Sequence, residues 1–356
     1  MANQDSPNMV PPSPNQPQQI VIQNRHSGGL FWRILAAIGW LGLFFCVAII
    51  LGQAISSANY YNTTEGVSEK YFSGSKTASD KIAVINVTGV IMEGQGYVRK
   101  QIDLVREDKD VKAIVVRVDS PGGTVTGSDY ILHHLKKLKE ERDIPLVVSM
   151  GAMATSGGYY VAMAVEDEEN SIYAEPTTTT GSIGVIIPHY NVSGLMEEYH
   201  IEDDSIMSHP RKQMLTMTRE MSEEHRGILQ EYVNQAFTRF KDIVKEGRPA
   251  FEKDPEKLDV LATGEIFTAN QALANGLVDQ IGFIEEAIDR AAELADIDPK
   301  KSRVVTYEEP VALFDLGFAQ SQAMSFDKML EMTAPKAYYM SSYLPPIVSS
   351  FPFGSR

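Results

Sequence analysis

Two glycine-rich turns carry the residue types from which acyl-transfer chemistry is built. The first is Asp119-Ser-Pro-Gly-Gly123, directly after the β-branched run VKAIVVRV. A strand ending in Pro-Gly-Gly turns sharply and leaves backbone N–H groups uncovered by side chains. Such groups can hold a developing oxyanion, although the same residues also suit an ordinary turn. The second is Ala154-Thr-Ser156-Gly-Gly158-Tyr-Tyr160, directly after PLVVSM. The order strand, glycine turn, helix puts Ser156 at a helix N-terminus on the carboxyl edge of a sheet, where strand–turn–helix elbows present a nucleophile. The helix dipole favours an alkoxide there, and the Gly157 N–H is placed to donate to an oxyanion. The G-x-S-x-G signature is missing, so the usual α/β-hydrolase reading lacks support. A plain serine N-cap is the alternative.

A serine nucleophile needs a base. The seven histidines are His26, His133, His134, His189, His200, His209 and His225, and none has a motif around it that marks a Ser-His-Asp arrangement. A lysine serves instead when burial lowers its pKa toward neutrality. The single cysteine, Cys46, lies inside an apolar segment, which excludes a disulfide framework and a cysteine-rich zinc site. With no Walker A or zinc pattern in the chain, neither a metal nor a nucleotide cofactor is expected.

Such turns need a sheet to hold them. KIAVINVTGVI (81–91), VKAIVVRVDS (111–120) and PLVVSM (145–150) read as buried strands, and SIYAEP and TGSIGVII, between 171 and 187, as shorter ones. Residues 127–142 read as a helix with Ile131, Leu135 and Leu138 on one face, SGGYYVAMAV as a helix entry, and 219–246 and 283–296 as amphipathic helices. Strands alternating with helices predict an α/β fold with a largely parallel sheet. No repeat of solenoid type is present.

The 356 residues are 43% apolar and 22% charged, values of a globular chain with a core. A net charge of −15 argues against nucleic-acid binding, which needs a basic face. Residues 34–55 hold no charge and are long enough to span a bilayer, with Trp32 at the interface. The stretch has no polar face and starts late, which favours a retained transmembrane anchor over a core helix or a cleaved signal peptide. Arg25 and Arg33 precede it, and Lys70 and Lys76 are the first basic residues after it. That bias predicts a cytoplasmic N-terminus and an extracytoplasmic remainder. The expected layout is a disordered cytoplasmic tail (1–29, rich in Pro, Gln, Asn and Ser), an anchor (30–55), a linker (56–79), a catalytic domain (80–300) and an apolar extension (301–356). From Pro310 the chain is rich in Met, Phe, Tyr and Pro, either a loosely ordered tail or a contact surface for a subunit, the membrane or the protein's own cleft.

VDSPGG, ATSGGYYVA, TGSIGVI and GEIFTANQALANGLVDQIG (264–282), in that order and spacing, resemble the signal peptide peptidase A family over residues 80–295. The resemblance implies a Clp protease/crotonase-like fold with repeated ββα units, here in one copy. It implies a serine endopeptidase with Ser156 as nucleophile, and Gly123 and Gly157 as the oxyanion hole. Its general base is a lysine in a segment like S-G-x-Y-K, shortly before an R-x-M-[ST] segment. This chain reads Ser208-His-Pro-Arg-Lys212, then Arg219-Glu-Met221-Ser222, so Lys212 falls on the base. His209, Pro210 and Arg211 depart from the family pattern, and Arg211 cannot deprotonate. Asp119 stands where Asn is usual, and Glu265 and Asn270 where Arg and Gly are. Ser182 is implied to hold the lysine by a hydrogen bond. The resemblance further implies signal peptides left in the lipid bilayer, and misfolded exported proteins, as substrates. It implies ring-like homo-oligomers whose neighbouring subunits share each site. Two rivals stay open on the sequence: a crotonase-like acyl-CoA enzyme, and an inert membrane scaffold.

Overall fold

The computed structural model describes residues 29–61, 66–308 and 338–340 and divides the chain into two compact units, residues 1–62 and 63–356. The first unit contains helix α1 (Gly29–Tyr61). Its stretch Phe31–Gln53 is exposed throughout and is long and apolar enough to cross a membrane. A helix satisfies its own backbone, as such a segment must. Cys46 is exposed on it. The tail expected over 1–29 lies almost wholly outside the described residues, as does most of the 301–356 extension.

The second unit begins with β1 (Ser68–Gly74) and β2 (Lys81–Thr88), followed by α2 (Tyr97–Glu107), β3 (Val111–Ser120), β4 (Gly122–Thr124) and α3 (Val125–Arg142). Next come β5 (Leu146–Thr155), α4 (Gly157–Ala162), a 3₁₀ turn (Met163–Val165), β6 (Ile172–Ala174) and β7 (Thr179–Gly181). A long excursion holds α5 (Ser193–Glu198) and a second 3₁₀ turn (Pro210–Gln213). The chain returns through α6 (Glu223–Gly247), α7 (Pro249–Lys253), α8 (Pro255–Leu261), β8 (Ile266–Thr268), α9 (Ala269–Asn275), β9 (Gln280–Ile281), α10 (Ile284–Leu294) and β10 (Arg303–Glu308). A last short strand is β11 (Tyr338–Met340).

Among the described residues, one nine-stranded sheet runs β1-β10-β2-β3-β5-β6-β9, with β7 beside the far end of β5 and β8 beside β7. Its centre, from β10 to β9, is parallel, and β1 and β8 are antiparallel edges. Parallel strands are covered on both faces and so read as unbroken apolar runs. In β2, Ala83, Ile85 and Val87 join the core under α3 and α4, while Ile82 and Val84 meet Ala287, Ile288 and Ala291 of α10 on the opposite face. This is the mixed α/β, Clp protease-like architecture that the sequence motifs imply.

Most elements match their expected spans, with three differences of substance. β5 continues five residues past the expected strand to Thr155, with its register to β3 interrupted opposite Asp119, where Gly151 leaves room for the Asp119 side chain. The expected 56–79 linker contains the end of α1 and all of β1. The sheet expected within 80–300 also takes in β10, which lies between β1 and β2.

Candidate active site

Ser156 is the single residue between β5 and α4, with φ 53° and ψ −113°. Only a small set of non-glycine residues adopts such a backbone, and surrounding structure must hold it there. Here the Ser156 N–H donates to Gly181 O at 2.7 Å and the Ser156 carbonyl accepts from Tyr160 N–H at 2.8 Å. Tyr159 and Tyr160, both fully buried, pin α4 in place. Tyr159 donates to Leu277 O at 2.8 Å and Tyr160 to Asp129 Oδ1 at 2.6 Å. Burial pushes the Tyr159 hydroxyl well above its ordinary range, so it stays a neutral donor. Gly158 lets the helix lie on β3, since a Cβ there would sit 2.8 Å from Ser120 O.

The Ser156 Oγ is buried and has no hydrogen-bond partner among the described residues, and neither has the Oγ1 of the preceding Thr155. Ser156 occupies the N-cap position of α4 without making a side-chain cap bond, so capping does not explain the serine. An uncapped, unpaired hydroxyl on a strained turn is costly to stability. Such strain clusters where function needs it.

The two oxyanion candidates flank this turn differently. Gly157 is the first residue of α4, so its N–H has no partner within the helix. Gly123 lies in β4, where a Cβ would come within 1.9 Å of Ile91 O, so no other residue fits. Ser120 shapes the approach to β4: its Oγ donates to Gly89 O at 2.6 Å and accepts from Gly122 N–H at 3.1 Å. Asp119 accepts from Met153 N–H at 3.1 Å, a positioning contact on β5 that no local motif announces.

Ser182 sits just past β7, nearly buried, with φ 53° and its N–H donating to Glu265 O at 2.7 Å. It is close in sequence to Gly181, whose carbonyl holds Ser156, so both serines hang from the end of β7. Lys212 stands apart. It lies exposed on the Pro210–Gln213 turn, whose start is capped by His209 accepting from Arg211 N–H at 3.2 Å. Arg211 is engaged by Glu224 at 2.9 Å, and Lys212 makes no ion pair among the described residues. No hydrogen bond joins Lys212 to Ser156 or Ser182 within the described residues. The structure therefore puts Ser156 and Gly157 on one turn, with Ser182 next to the Gly181 carbonyl that holds Ser156, and among the described residues shows no bond from Lys212 to either serine. From 184 to 239 no residue is buried, and Leu195, Tyr199, Ile201 and Ile206 are more than half exposed on this excursion.

Residues 138–298 match the family described as Peptidase family S49. An Enterococcus faecium protein named as a signal peptide peptidase SppA is 36% identical over 275 residues, 71% of this chain and 77% of its own length. A Synechocystis protein named as a protease is 41% identical over 234 residues, 65% of this chain and 81% of its own. Protease 4 of Salmonella typhi is 35% identical over 252 residues, 68% of this chain but only 39% of that longer relative.

Proposed function

Because the chain belongs to peptidase family S49 and is a serine peptidase, we propose that Ser156 is its nucleophile and Lys212 its general base. The observation that carries the proposal is the Ser156 turn itself: a strained backbone, a buried Oγ without a hydrogen-bond partner among the described residues, and a helix start whose first N–H is free of helical bonding. Lys212 in neutral form takes the Ser156 proton. The alkoxide attacks a peptide carbonyl, and the N–H groups of Gly157 and Gly123 hold the oxyanion. The lysine returns its proton to the leaving amine, and water then cleaves the acyl-enzyme with the same lysine as base. Ser182, at the end of β7, orients the lysine amine.

Among the described residues no hydrogen bond or ion pair joins Lys212 to Ser156, and we assign each site a lysine from a neighbouring subunit. The unburied excursion over 184–239 that bears Lys212, with Leu195, Tyr199, Ile201 and Ile206 exposed on it, favours this reading, because exposed apolar side chains are better covered by a second copy. The substrates are signal peptides, in line with the name of the Enterococcus relative, and misfolded exported proteins. α1 anchors the chain in the bilayer, N-terminus in the cytoplasm and catalytic unit outside, which Arg25 and Arg33 against Lys70 and Lys76 favour.

The test mixes two inactive full-length proteins, Ser156→Ala and Lys212→Ala. Subunit exchange creates interfaces that pair an intact serine with an intact lysine, so hydrolysis returns and a fluorophosphonate probe labels the Lys212→Ala chain at Ser156. Continued inactivity after demonstrated exchange refutes the shared site. A fluorophosphonate that never labels Ser156 in the parent protein refutes the nucleophile.

A further inference from the structure

The excursion that bears Lys212 has no core of its own, because no residue from 184 to 239 is buried. Polar contacts hold it instead. At its base Val192 N–H donates to Met217 O at 2.8 Å, and His189 Nε2 lies 3.0 Å from Thr216 O. The Lys212 turn is stiff in itself. Pro210 fixes φ where the turn starts, and Lys212 N–H donates to His209 O at 2.9 Å. Among the described residues, the turn is tied to the rest of the chain by one side chain. Arg211 Nε and Nη2 both donate to Glu224 Oε1, at 2.9 and 2.5 Å. Glu224 lies in the first turn of α6, whose start is capped by Ser222 Oγ accepting from His225 N–H at 3.2 Å. Further along the same helix, Phe240, Ile243 and Val244 enter the core. From Glu224 to Phe240 an α-helix rises about 24 Å, so α6 carries the anchorage of the core out to the Lys212 turn.

We propose that Glu224 is a positioning residue for the general base, holding Lys212 in place through Arg211. This rests on the reading of Lys212 as that base. The line of contacts runs from the core along α6 to Glu224, then through Arg211 to its neighbour Lys212. A base must bring its nitrogen within hydrogen-bond reach of the nucleophile. A lysine on an untethered turn would meet that place for only part of the time, and the rate falls with the fraction. Arg211 cannot act as a base, and its guanidinium suits a carboxylate partner. Both side chains of the pair are more than half exposed, and such pairs contribute little to folding. The worth of this pair lies in where it puts the next residue. The plainer role for Glu224 is an acidic residue favoured by the helix dipole. Glu223 shares that helix start and supplies the comparison: its one ion pair among the described residues is to Arg226, at 3.9 Å.

The test uses the full-length protein, a fluorogenic apolar peptide and a fluorophosphonate. Glu224→Gln should lower kcat by about ten- to a hundredfold, the cost of a reacting group misplaced by roughly an ångström, with KM unchanged. Fluorophosphonate labelling of Ser156 should slow by the same factor, because it needs the base and no bound peptide. The Tm should stay at the parent's. Arg211→Gln should behave like Glu224→Gln, and the double variant should be no slower than either, because the two residues act as one unit. Glu223→Gln, which removes an equal charge from the same helix start, should keep the parent's kcat. Parental kcat in Glu224→Gln, with Lys212→Ala inactive, overturns the positioning role and leaves the base standing. A loss that Glu223→Gln reproduces, or one that comes with a lower Tm, overturns it too, by assigning the effect to the helix start or to folding. Full activity in Lys212→Ala removes the base, and the role of Glu224 with it.

Discussion

Replacing Ser156 by glycine should abolish hydrolysis and make the protein more stable. A non-glycine residue at φ 53° and ψ −113° carries strain of about 1–3 kcal/mol. A buried hydroxyl without a partner adds about 1–3 kcal/mol. Glycine relieves both, and its greater freedom in the unfolded chain takes back about 0.5–1 kcal/mol. The net gain is about 1–5 kcal/mol, which for a unit of this size raises Tm by roughly 2–20 °C. Alanine removes the hydroxyl but keeps its Cβ on the strained backbone, so it gains less. No cap bond is lost in either case, because Ser156 makes none. The assay is thermal unfolding of the detergent-solubilised protein at fixed concentration, with peptide turnover measured alongside. The expected order of Tm is glycine above alanine above serine, with both variants inactive. A glycine variant that melts at or below the parent would show that the turn stores no strain and that its conformation is no mark of function.

Lys212→Arg should be inactive, since guanidinium cannot accept the Ser156 proton. It should unfold like the parent, because the exposed Lys212 makes no ion pair among the described residues; peptide turnover and a melt check both, and turnover near the parent's would remove Lys212 from the mechanism. Gly158→Ala drives a Cβ to 2.8 Å from Ser120 O, so it should cost about 1–3 kcal/mol and displace the α4 start, read as a lower urea midpoint together with a lower kcat. Burial, and then the Arg99 guanidinium 2.8 Å from its Nδ1, push His134 down to about 4. An unfolded histidine binds its proton near 6.5. The stability contributed by neutral His134 is thus present above about pH 6.5 and lost as pH falls toward about 4, where the unfolded chain takes up the extra proton. His134→Gln should lose less stability across that window, measured as urea midpoints against pH; an identical slope would place the titration elsewhere.

The parts of the fold legible in the sequence were those written in short-range pattern. The runs at 81–91 and 111–120 became β2 and β3 because buried parallel strands must be apolar on both faces. The Ser156 turn was legible too, because glycines on its carboxyl side and a strand before it leave few other geometries. What stayed hidden depends on distant partners. β1, SEKYFSG, is polar and exposed and becomes a strand only because β10 lies beside it. β4 and β11 are three residues each, too short for any periodicity to register. The contact of Asp119 with Met153 N–H falls where the β3–β5 register is interrupted, and no local signal marks that interruption. Lys212 is in the same class: the family resemblance selects it, and among the described residues no hydrogen bond ties it to Ser156.

The place of β10 in the sheet has a consequence for how the protein is made. Arg303–Thr306 insert between β1 and β2, and Asn86 Nδ2 donates to Thr306 Oγ1 across 220 residues of sequence. A chain emerging from the ribosome in order thus has its first two strands early and their shared partner late. Until then β2 keeps one edge open and β1 has nothing to pair with, and open edges invite pairing with other chains. Closing so long a loop is slow relative to local structure. Acquisition of the native sheet accordingly waits for residues 303–306, and a ribosome that stops before residue 303 releases a chain in which β2 keeps an unpaired edge.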